Sequence, residues 1–303
     1  MEVRQIRMLR ALGDLGSVTA VATAMHVSPS AVSQQLRLLQ RGLPVPLTRR
    51  DGRRLALTEA GERIAAAAAT VETALAHAEE AVRGLTEAPR GAVSVSGFTS
   101  AALAFFPPLL RAFPADGPIT VSVTDEDASQ SDFPRLTARH DVVLAHRFPH
   151  TPPWTASVDV LELLDEPLDV ALPTDHPLAQ GESVSAADAS REPWITTHEG
   201  WPVGAVVDAL AAVTGHPVTV RHRVNEFSVV TELVRTGAGV ALLPRWTSPP
   251  PSGVLLRPLV GVTASRHVDA LTRPEHAVRP AVQAVLAELT RIADTLVSAP
   301  AAR

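Results

Sequence analysis

The first forty residues carry a three-residue apolar rhythm typical of packed helices. Val3, Ile6, Leu9 and Leu12 recur every third position, which predicts a first helix with one apolar face. A second, shorter segment over residues 19–25 is rich in alanine and follows Ser17, a good helix N-cap. Small side chains of this kind allow two helices to approach closely.

Residues 28–40 predict a third helix with two different faces. Ser28 is placed to cap it, and Pro29 stands at the first helical position, where a missing N–H is tolerated. One arc of about 100° is polar and holds Ser30, Ser33, Gln34, Arg37 and Arg41. The opposite side is apolar and holds Val32, Leu36 and Leu39.

The connection into this third helix predicts a tight reversal of the chain. His26 stands where the chain must turn, and histidine is among the non-glycine residues that tolerate a positive φ. Three helices joined in this way form a helix-turn-helix. Hydroxyl, amide and guanidinium groups on its last helix suit phosphates and major-groove base edges, so we expect Ser28 and the polar arc to contact DNA.

An arginine-rich segment follows at residues 49–54. The pair Asp51-Gly52 is a strong hairpin signal between two short apolar flanks. Four arginines on a hairpin tip suit a minor groove or a phosphate backbone, and we expect Arg50, Arg53 and Arg54 to contact DNA. Taken alone, the segment is better explained as a solvated charged loop; beside a helix-turn-helix, the interpretation as a wing is favoured.

Residues 58–88 predict one long helix that Thr58 caps. Apolar residues recur along it at alternating spacings of four and three, namely at Ile64, Ala68, Val71, Leu75, Ala78, Val82 and Leu85. The alternative is burial of this seam against its own chain. A helix of about 30 residues spans about 45 Å and outreaches a small head, so we expect the seam to mediate dimerisation.

Beyond residue 90 the pattern changes to strands separated by helical segments. Strands are predicted at residues 92–96, 119–123, 141–145 and 169–172. This alternation is typical of α/β domains with parallel strands. The whole chain is therefore expected to be an α/β multidomain protein, since 303 residues exceed what one core organises.

The distribution of charged residues also separates the head from the rest of the chain. Residues 1–63 hold 10 arginines and 5 acidic residues, whereas the remaining 240 residues hold 17 arginines and 27 acidic residues. A basic head on an acidic body indicates that only the head meets nucleic acid. The chain has no cysteine, which excludes disulfides and thiolate metal sites, and it has no signal peptide or long apolar run, which favours a cytoplasmic protein without a membrane partner.

The head and the long helix together resemble the LysR-type transcriptional regulators. The matching segments are LGS at 15–17, SPSAVSQQL at 28–36, VPL at 45–47, and GRR with LTEAG within 52–61. The chain departs from the usual family pattern at Gln40, Pro44 and Thr48, where Glu, Gly and Phe are common. Two further segments, at 176–179 and 237–244, match motifs common in the family's effector-binding domain.

The resemblance implies a division into three parts. Residues 1–58 would form a winged helix-turn-helix, 59–88 a dimerisation helix, and 91–303 an effector-binding domain resembling the two-lobed (type 2) periplasmic binding proteins. Lobe I would comprise 91–165 and 267–303, and lobe II 166–266. The family's function implies a homodimer, or a tetramer built as a dimer of dimers, that binds an imperfect palindromic operator in double-stranded DNA.

A small-molecule effector of such a domain would lie between the lobes, where strand ends and helix N-termini converge. Thr99 and Ser100 follow a strand and open a helix, so their hydroxyl and N–H groups can hold an anion; the alternative is that they only cap the helix. Across the cleft we expect Thr197, His198 and Trp201 to contribute.

Two further segments are candidates for the same site. Glu226 and Phe227 begin a helix, although Glu226 is equally explained as a first-turn acid. Glu126 lies in an acidic run at a strand end that can face a cationic ligand, although a solvated loop is the favoured explanation of that run.

The sequence gives little support for an enzyme. His140, His146 and His150 flank a strand without the spacing of a helical zinc motif, and no phosphate-binding loop is present. We therefore expect no catalytic residues, no metal and no cofactor. The alternative to a ligand-responsive regulator is a ligand-independent architectural protein whose second domain only assembles.

Overall fold

The structure is a computed structural model that describes residues 1–52, 54–83, 88–126, 128–199, 201–248 and 252–298. It consists of a small helical head, one long helix and a two-lobed α/β body. Among the described residues, no helix is both long enough and apolar enough to cross a lipid bilayer.

Three helices and a hairpin build the head. The helices are α1 (Val3–Leu15), α2 (Val18–Ala24) and α3 (Pro29–Arg41), and the hairpin pairs β1 (Thr48–Asp51) with β2 (Arg54–Leu57). Their apolar faces meet in one core that includes Met8, Leu9, Leu12, Val21, Val32, Leu39, Leu47 and Leu57. This packing confirms the two-faced pattern of α3 and the apolar rhythm at Ile6, Leu9 and Leu12, whereas Val3 at the start of α1 is exposed.

The turn between α2 and α3 has the predicted backbone conformation. His26 has a φ of 52°, and within the described ranges no other non-glycine residue has a positive φ. Ser28 then caps α3 by accepting a hydrogen bond from the N–H of Ala31. The chain therefore reverses within three residues, which is the geometry that a helix-turn-helix requires.

The long helix α4 (Glu59–Arg83) starts where the sequence predicts. Thr58 caps it by accepting a hydrogen bond from the N–H of Gly61. A Cβ atom on Gly61 would lie 2.1 Å from the carbonyl oxygen of Leu47, so only glycine lets the first turn of α4 pack against the chain that enters the hairpin.

Lobe I opens the body with an alternation of strands and helices. Its first elements are β3 (Gly91–Gly97), α5 (Thr99–Ala112), β4 (Ile119–Asp125), α6 (Phe133–Leu136) and β5 (Val142–Arg147). The long strand β6 (Asp159–Pro173) then carries the chain from the core of this lobe into the second lobe.

Lobe II follows between β6 and the returning strand. After a short helical turn (Pro177–Gln180) its elements are β7 (Val184–Ser185), α7 (Ala186–Ala189), β8 (Pro193–Thr196), α8 (Pro202–Thr214), β9 (Thr219–Arg223), α9 (Phe227–Arg235), β10 (Ala241–Pro244), β11 (Val254–Arg257) and β12 (Leu259–Val260). The return is made by β13 (Ser265–Thr272), followed by α10 (Pro274–Ala277) and α11 (Pro280–Ser298).

The main sheet is mixed, which corrects the expectation of parallel strands. Its order is β10-β6-β13-β5-β3-β4, with β11 also paired to β6. Strands β3, β4 and β5 are parallel, but β13 runs antiparallel to both β5 and β6. The reason is topological: β6 carries the chain out to lobe II and β13 carries it back alongside, so the two must run in opposite directions.

Buried ion pairs join the head to the body. Glu72 on α4 accepts hydrogen bonds of 2.6 Å from both Arg7 and Arg10 on α1, and Arg10 also donates to Glu275 at 2.6 Å. Arg10 is only 5% exposed and Glu72 only 4%. Burial alone would lower the pKa of Arg10, but Glu275 and Glu72 together raise it, so the guanidinium stays charged inside this junction.

A second pair, Arg273 with Asp14, closes the same junction. Burial raises the pKa of the Asp14 carboxyl, while Arg273 opposes that rise. Arg273 and Glu275 both follow directly on β13. The strand that returns from lobe II therefore ends against the head.

Candidate functional site

The polar arc of α3 faces away from the head core. Ser28, Ser30, Gln34 and Arg37 are exposed and Ser33 is half-buried, whereas Val32 on the opposite side is fully buried. Arg37 donates from Nε to the backbone oxygen of Ser33 at 3.2 Å, and within the described residues its terminal nitrogens make no hydrogen bond. The arc therefore offers hydroxyl, amide and guanidinium donors on one continuous exposed surface.

The hairpin places further arginines beside this arc. The predicted hairpin is confirmed, but Asp51 pairs with Arg54 and so belongs to the strand β1, whereas the Asp51-Gly52 pair implies that Asp51 lies in the turn. Gly52 supplies the positive φ of 60° that the turn needs. Arg50 is exposed on β1, Arg54 lies in β2, and Arg53 lies outside the described residues.

Gln40 fixes the connection between α3 and the hairpin. Its side-chain nitrogen donates to the carbonyl of Val45 at 2.8 Å, and its side-chain oxygen accepts from the N–H of Leu47 at 2.9 Å. A carboxylate can accept but not donate, so the amide satisfies two backbone groups where glutamate would satisfy one. This departure from the family pattern thus has a structural role in holding the hairpin.

The heptad seam of α4 lies in two environments. Ala68 is fully buried within its own chain and Ile64 is half-buried there, so this end belongs to the head core. Farther along, Val71, Leu75, Ala78 and Val82 are exposed, with Val82 exposed to 70%. Leu85 lies outside the described residues. The exposed apolar row available to a second chain is therefore the C-terminal half of the predicted seam.

A cavity of about 580 Å³ opens between the lobes of the body. Lobe I contributes the start of α5 and the end of β5, and lobe II contributes the segments before α8 and around α9. Six residues predicted from the sequence line it, namely Thr99, Ser100, Thr197, Trp201, Glu226 and Phe227. The volume lies within the range typical of small-molecule sites.

Two residues predicted for this site lie elsewhere. Glu126 binds Arg139 and His140 at 2.6 Å each, beside the edge strand β4, and does not line the cavity. His198 is exposed, and its backbone N–H donates to Asn225 at 3.0 Å while its side chain stays out of the lining. We correct both predictions: local charges satisfy Glu126, and the chain turns His198 toward solvent.

A buried ion pair forms the floor of the cavity where the lobes join. Arg266 on β13 lies opposite Glu166 on β6 and donates to it from Nε at 3.0 Å and from a terminal nitrogen at 2.8 Å. The same terminal nitrogen donates to Ser100 of lobe I at 2.8 Å and to Thr247 of lobe II at 2.7 Å. Arg266 thus bonds to both lobes at once, and the Ser100 hydroxyl is already engaged.

Aromatic rings surround this guanidinium. Its central carbon lies 5.0 Å from the ring centre of Phe98 and 5.8 Å from that of Phe227, one ring from each lobe. His146 packs edge-on against Phe98 at 4.8 Å and near Phe148 at 6.0 Å. Burial, and next the charge of Arg266, lower the pKa of His146 to about 3, so the imidazole is neutral at physiological pH.

The sequence left several lining residues unassigned to this site. Phe98, Phe148, Asn225, Trp246 and Arg266 all reach the cavity. The only sequence signal for Phe98 was its place next to Thr99. Arg266 had none, since its partner Glu166 is a hundred residues away and the two meet only through strand pairing.

The histidines considered for metal binding serve separate local roles. His140 bonds to Glu126, His146 lies in the aromatic cluster, and His150 is exposed. Across the ranges that the structure describes, no group of three or more histidine or acidic residues has the arrangement of a metal site.

Comparisons with known proteins agree with both halves of the molecule. Residues 3–62 match the family model described as bacterial regulatory helix-turn-helix protein, lysR family, and residues 86–293 match the LysR substrate binding domain. The Hca operon transcriptional activator HcaR of Escherichia coli is 29% identical over 265 residues, which cover 86% of this chain and 88% of that protein. The transcriptional activator IlvY of Salmonella typhimurium is 29% identical over 248 residues, covering 80% and 82%.

Solved structures show the same fold. A full-length OxyR variant from Pseudomonas aeruginosa superposes with a TM-score of 0.65 at 21% identity, covering 96% of this chain and 98% of that one. Full-length CbnR in complex with its target DNA gives a TM-score of 0.53 at 21% identity, covering 97% and 100%. The two family models together span nearly the whole chain, and the chain therefore belongs to the LysR family of DNA-binding transcriptional regulators, which are not enzymes.

Proposed function

We propose that the protein binds an imperfect palindromic operator in double-stranded DNA as a homodimer, or as a tetramer of two dimers, and that a small molecule in the interlobe cavity modulates this binding or the bending of the DNA. No cofactor is needed. The main support is that one chain has both an exposed polar arc on α3 and an interlobe cavity of about 580 Å³. Arg266 at the floor of this cavity forms hydrogen bonds to both lobes.

Each DNA-facing element has a distinct part in this function. Ser30, Ser33, Gln34 and Arg37 lie on the helix that enters a major groove in a helix-turn-helix, and they would read base edges. Ser28 at the helix start, together with Arg50, Arg53 and Arg54 of the hairpin, would bind phosphates or a minor groove. One helix reads too few base pairs to specify a genomic site, so a second head is required.

Base reading can be tested with two adjacent glutamines. Gln34 is exposed on the polar arc, whereas Gln35 accepts a hydrogen bond from Gln5 on α1 and faces the head core. On duplexes selected by the protein from random sequences, Gln34→Ala is expected to lose about 1 to 3 kcal/mol of discrimination at one base position, measured by fluorescence anisotropy. Gln35→Ala is the control and should keep the wild-type preference.

Binding to the phosphate backbone of DNA is expected to give a different result in the same assay. Arg50→Ala is expected to weaken binding to all duplexes alike and to flatten the dependence of affinity on salt. The reason is that a protein with one phosphate contact fewer releases fewer counterions from the DNA when it binds. A loss confined to one base position for Arg50→Ala, or unchanged base preference for Gln34→Ala, would contradict the assignment of the two surfaces.

Dimerisation through α4 rests on the exposed row Val71, Leu75, Ala78 and Val82. Leu75→Asp places a charge in this apolar row and is expected to shift the protein to monomers in sedimentation equilibrium. Ala74→Asp adds the same charge to a neighbouring exposed position off the seam and should leave the mass unchanged. A Leu75→Asp protein that keeps the full oligomeric mass would refute dimerisation through this seam.

The cavity supports the ligand-responsive function over a purely architectural one. An assembly domain has no need of an open space lined by aromatic and polar side chains at its lobe junction. Because the operator of a bacterial regulator lies on the chromosome, we place the protein in the cytoplasm.

A further inference from the structure

Aromatic rings from separate segments of the chain meet in the interlobe cavity. The chain has 7 phenylalanines, 4 tryptophans and no tyrosine. Five of these rings line the one cavity, namely Phe98, Phe148, Trp201, Phe227 and Trp246. They come from five separate segments of the two lobes, so neighbours in sequence do not explain their meeting. Such a lining favours a ligand with an aromatic ring, which gains from edge and face contacts beyond simple area burial.

The charges of the lining disfavour an anionic ligand. Arg266 is the sole cation among the described lining residues, and its charge is balanced by Glu166 through two hydrogen bonds. Both acidic residues of the lining are exposed and already bonded: Glu232 pairs with Arg235, and Glu226 caps α9 by accepting hydrogen bonds from the N–H and the hydroxyl of Ser228. Neither carboxylate is therefore free to balance a cationic ligand. A ligand carboxylate would lose its hydration here without gaining an uncommitted cation.

Burial keeps the imidazole of His146, which also lines the cavity, uncharged. The pKa of His146 is lowered to about 3, chiefly by burial and then by Arg266, so its ring adds no positive charge at physiological pH. Its Nδ1 atom is buried and has no hydrogen-bond partner among the described residues. The imidazole therefore acts as a further aromatic wall.

Hydrogen-bond donors from both lobes remain available in the lining. The first N–H groups of α5, starting at Thr99, have no partner within the helix. The side-chain oxygen of Asn225 accepts from His198, so its amide nitrogen keeps two donors, and within the described residues no acceptor takes them. These donors suit a carbonyl, hydroxyl or amide oxygen, which needs no balancing charge.

We propose that the cavity binds a small uncharged aromatic compound bearing a hydrogen-bond-accepting oxygen, with the ring among Phe98, Phe227 and Trp201 and the oxygen toward Thr99 and Asn225. This inference rests on the proposed function, because it names the ligand class of the same site. It differs from the anion expected from the sequence at Thr99 and Ser100, since Arg266, the cation that donates to Ser100, is already balanced by Glu166.

The test uses four probes of matched size in titration calorimetry with the full-length protein. They are phenylacetamide, phenylacetate, phenethylamine and cyclohexylacetamide. Phenylacetamide is expected to bind saturably and at least about tenfold more tightly than the acetate, because a desolvated carboxylate lacks a counter-charge. It should also bind more tightly than the amine, because the carboxylates of Glu226 and Glu232 are already bonded within the chain, and more tightly than the cyclohexyl amide, which lacks the ring.

A variant pair ties binding to the cavity. Phe227→Ala should weaken phenylacetamide binding about tenfold, whereas Val229→Ala, at an exposed position of the same helix outside the lining, should not. A cooperative thermal unfolding transition is required of both variants, to establish that they are folded. Binding of the acetate as tight as that of the amide, equal binding of the cyclohexyl amide, or no binding of any probe overturns the proposed ligand class.

A DNA readout separates this inference from the proposed function. Phenylacetamide is added to the protein bound to its selected duplex, and affinity and footprint are compared with and without it. A change in either supports both proposals. Saturable binding of the amide with unchanged DNA affinity and footprint leaves the ligand class standing and overturns the role of the cavity in regulation.

Discussion

Replacing Glu166 with alanine is expected to lower the free energy of unfolding of the two-lobed body by about 3 to 5 kcal/mol. Glu166 is fully buried and accepts hydrogen bonds from the backbone N–H groups of Trp246 and Thr247, from the Thr247 hydroxyl and from Arg266. Without it, the guanidinium of Arg266, which is only 3% exposed, would be left as an unbalanced charge between the lobes.

Urea unfolding followed by circular dichroism measures this loss. The control is Glu162→Ala on the same strand, because Glu162 is 77% exposed and forms an ion pair at 2.9 Å with Arg147. Exposed pairs contribute little, so less than about 1 kcal/mol should be lost there. Restoring stability with the second substitution Arg266→Met would show that the unpaired charge is the cause, and equal losses for Glu166→Ala and Glu162→Ala would refute it.

Replacing Glu72 with alanine is expected to cost about 3 kcal/mol and to loosen the head from the body. Glu72 bonds to Arg7 and Arg10, and its removal leaves the buried Arg10 with Glu275 as its remaining acidic partner. Because α1 and α4 meet at this point, we expect faster backbone hydrogen exchange in α1 as well as a lower unfolding midpoint.

The matched control for the junction is Arg7→Ala. The Arg7 side chain is 51% exposed, although it bonds to the same carboxylate at 2.6 Å. Its loss should cost less than about 1 kcal/mol and leave hydrogen exchange in α1 unchanged. If Glu72→Ala behaved like Arg7→Ala in both measurements, the junction would contribute no more than an ordinary surface ion pair.

The head was predictable because its determinants are local. Ser28 and Pro29 define the start of α3, His26 accepts the positive φ, and the alternation of Val32 with Gln34 shows which face is buried. Each of these features depends on residues a few positions apart. The pairing of Asp51 with Arg54 shows the limit, since the position of β2 also depends on the hydrogen bond from the N–H of Leu55 to the carbonyl of Gly16 at the end of α1.

The cavity was predictable only in part because it forms from distant segments. Strand ends identified Thr99 and Thr197, and a helix start identified Phe227. By contrast, Arg266 acquires its position from the pairing of β13 with β6, which nothing near it in sequence encodes. The prediction that Glu126 belongs to the cavity was wrong for the same reason, because its partners Arg139 and His140 follow more than ten residues later.

Strand β13 begins at the cavity and ends at the head. Arg266 lies near its start, and Arg273 follows its last residue about 23 Å away. The strand is hydrogen-bonded to β5 on one edge and β6 on the other, so it has little freedom to bend between these points. Thermodynamic linkage makes any coupling along it reciprocal: by whatever factor an occupant of the cavity changes the affinity of the head for DNA, bound DNA must change the affinity of the cavity by that same factor.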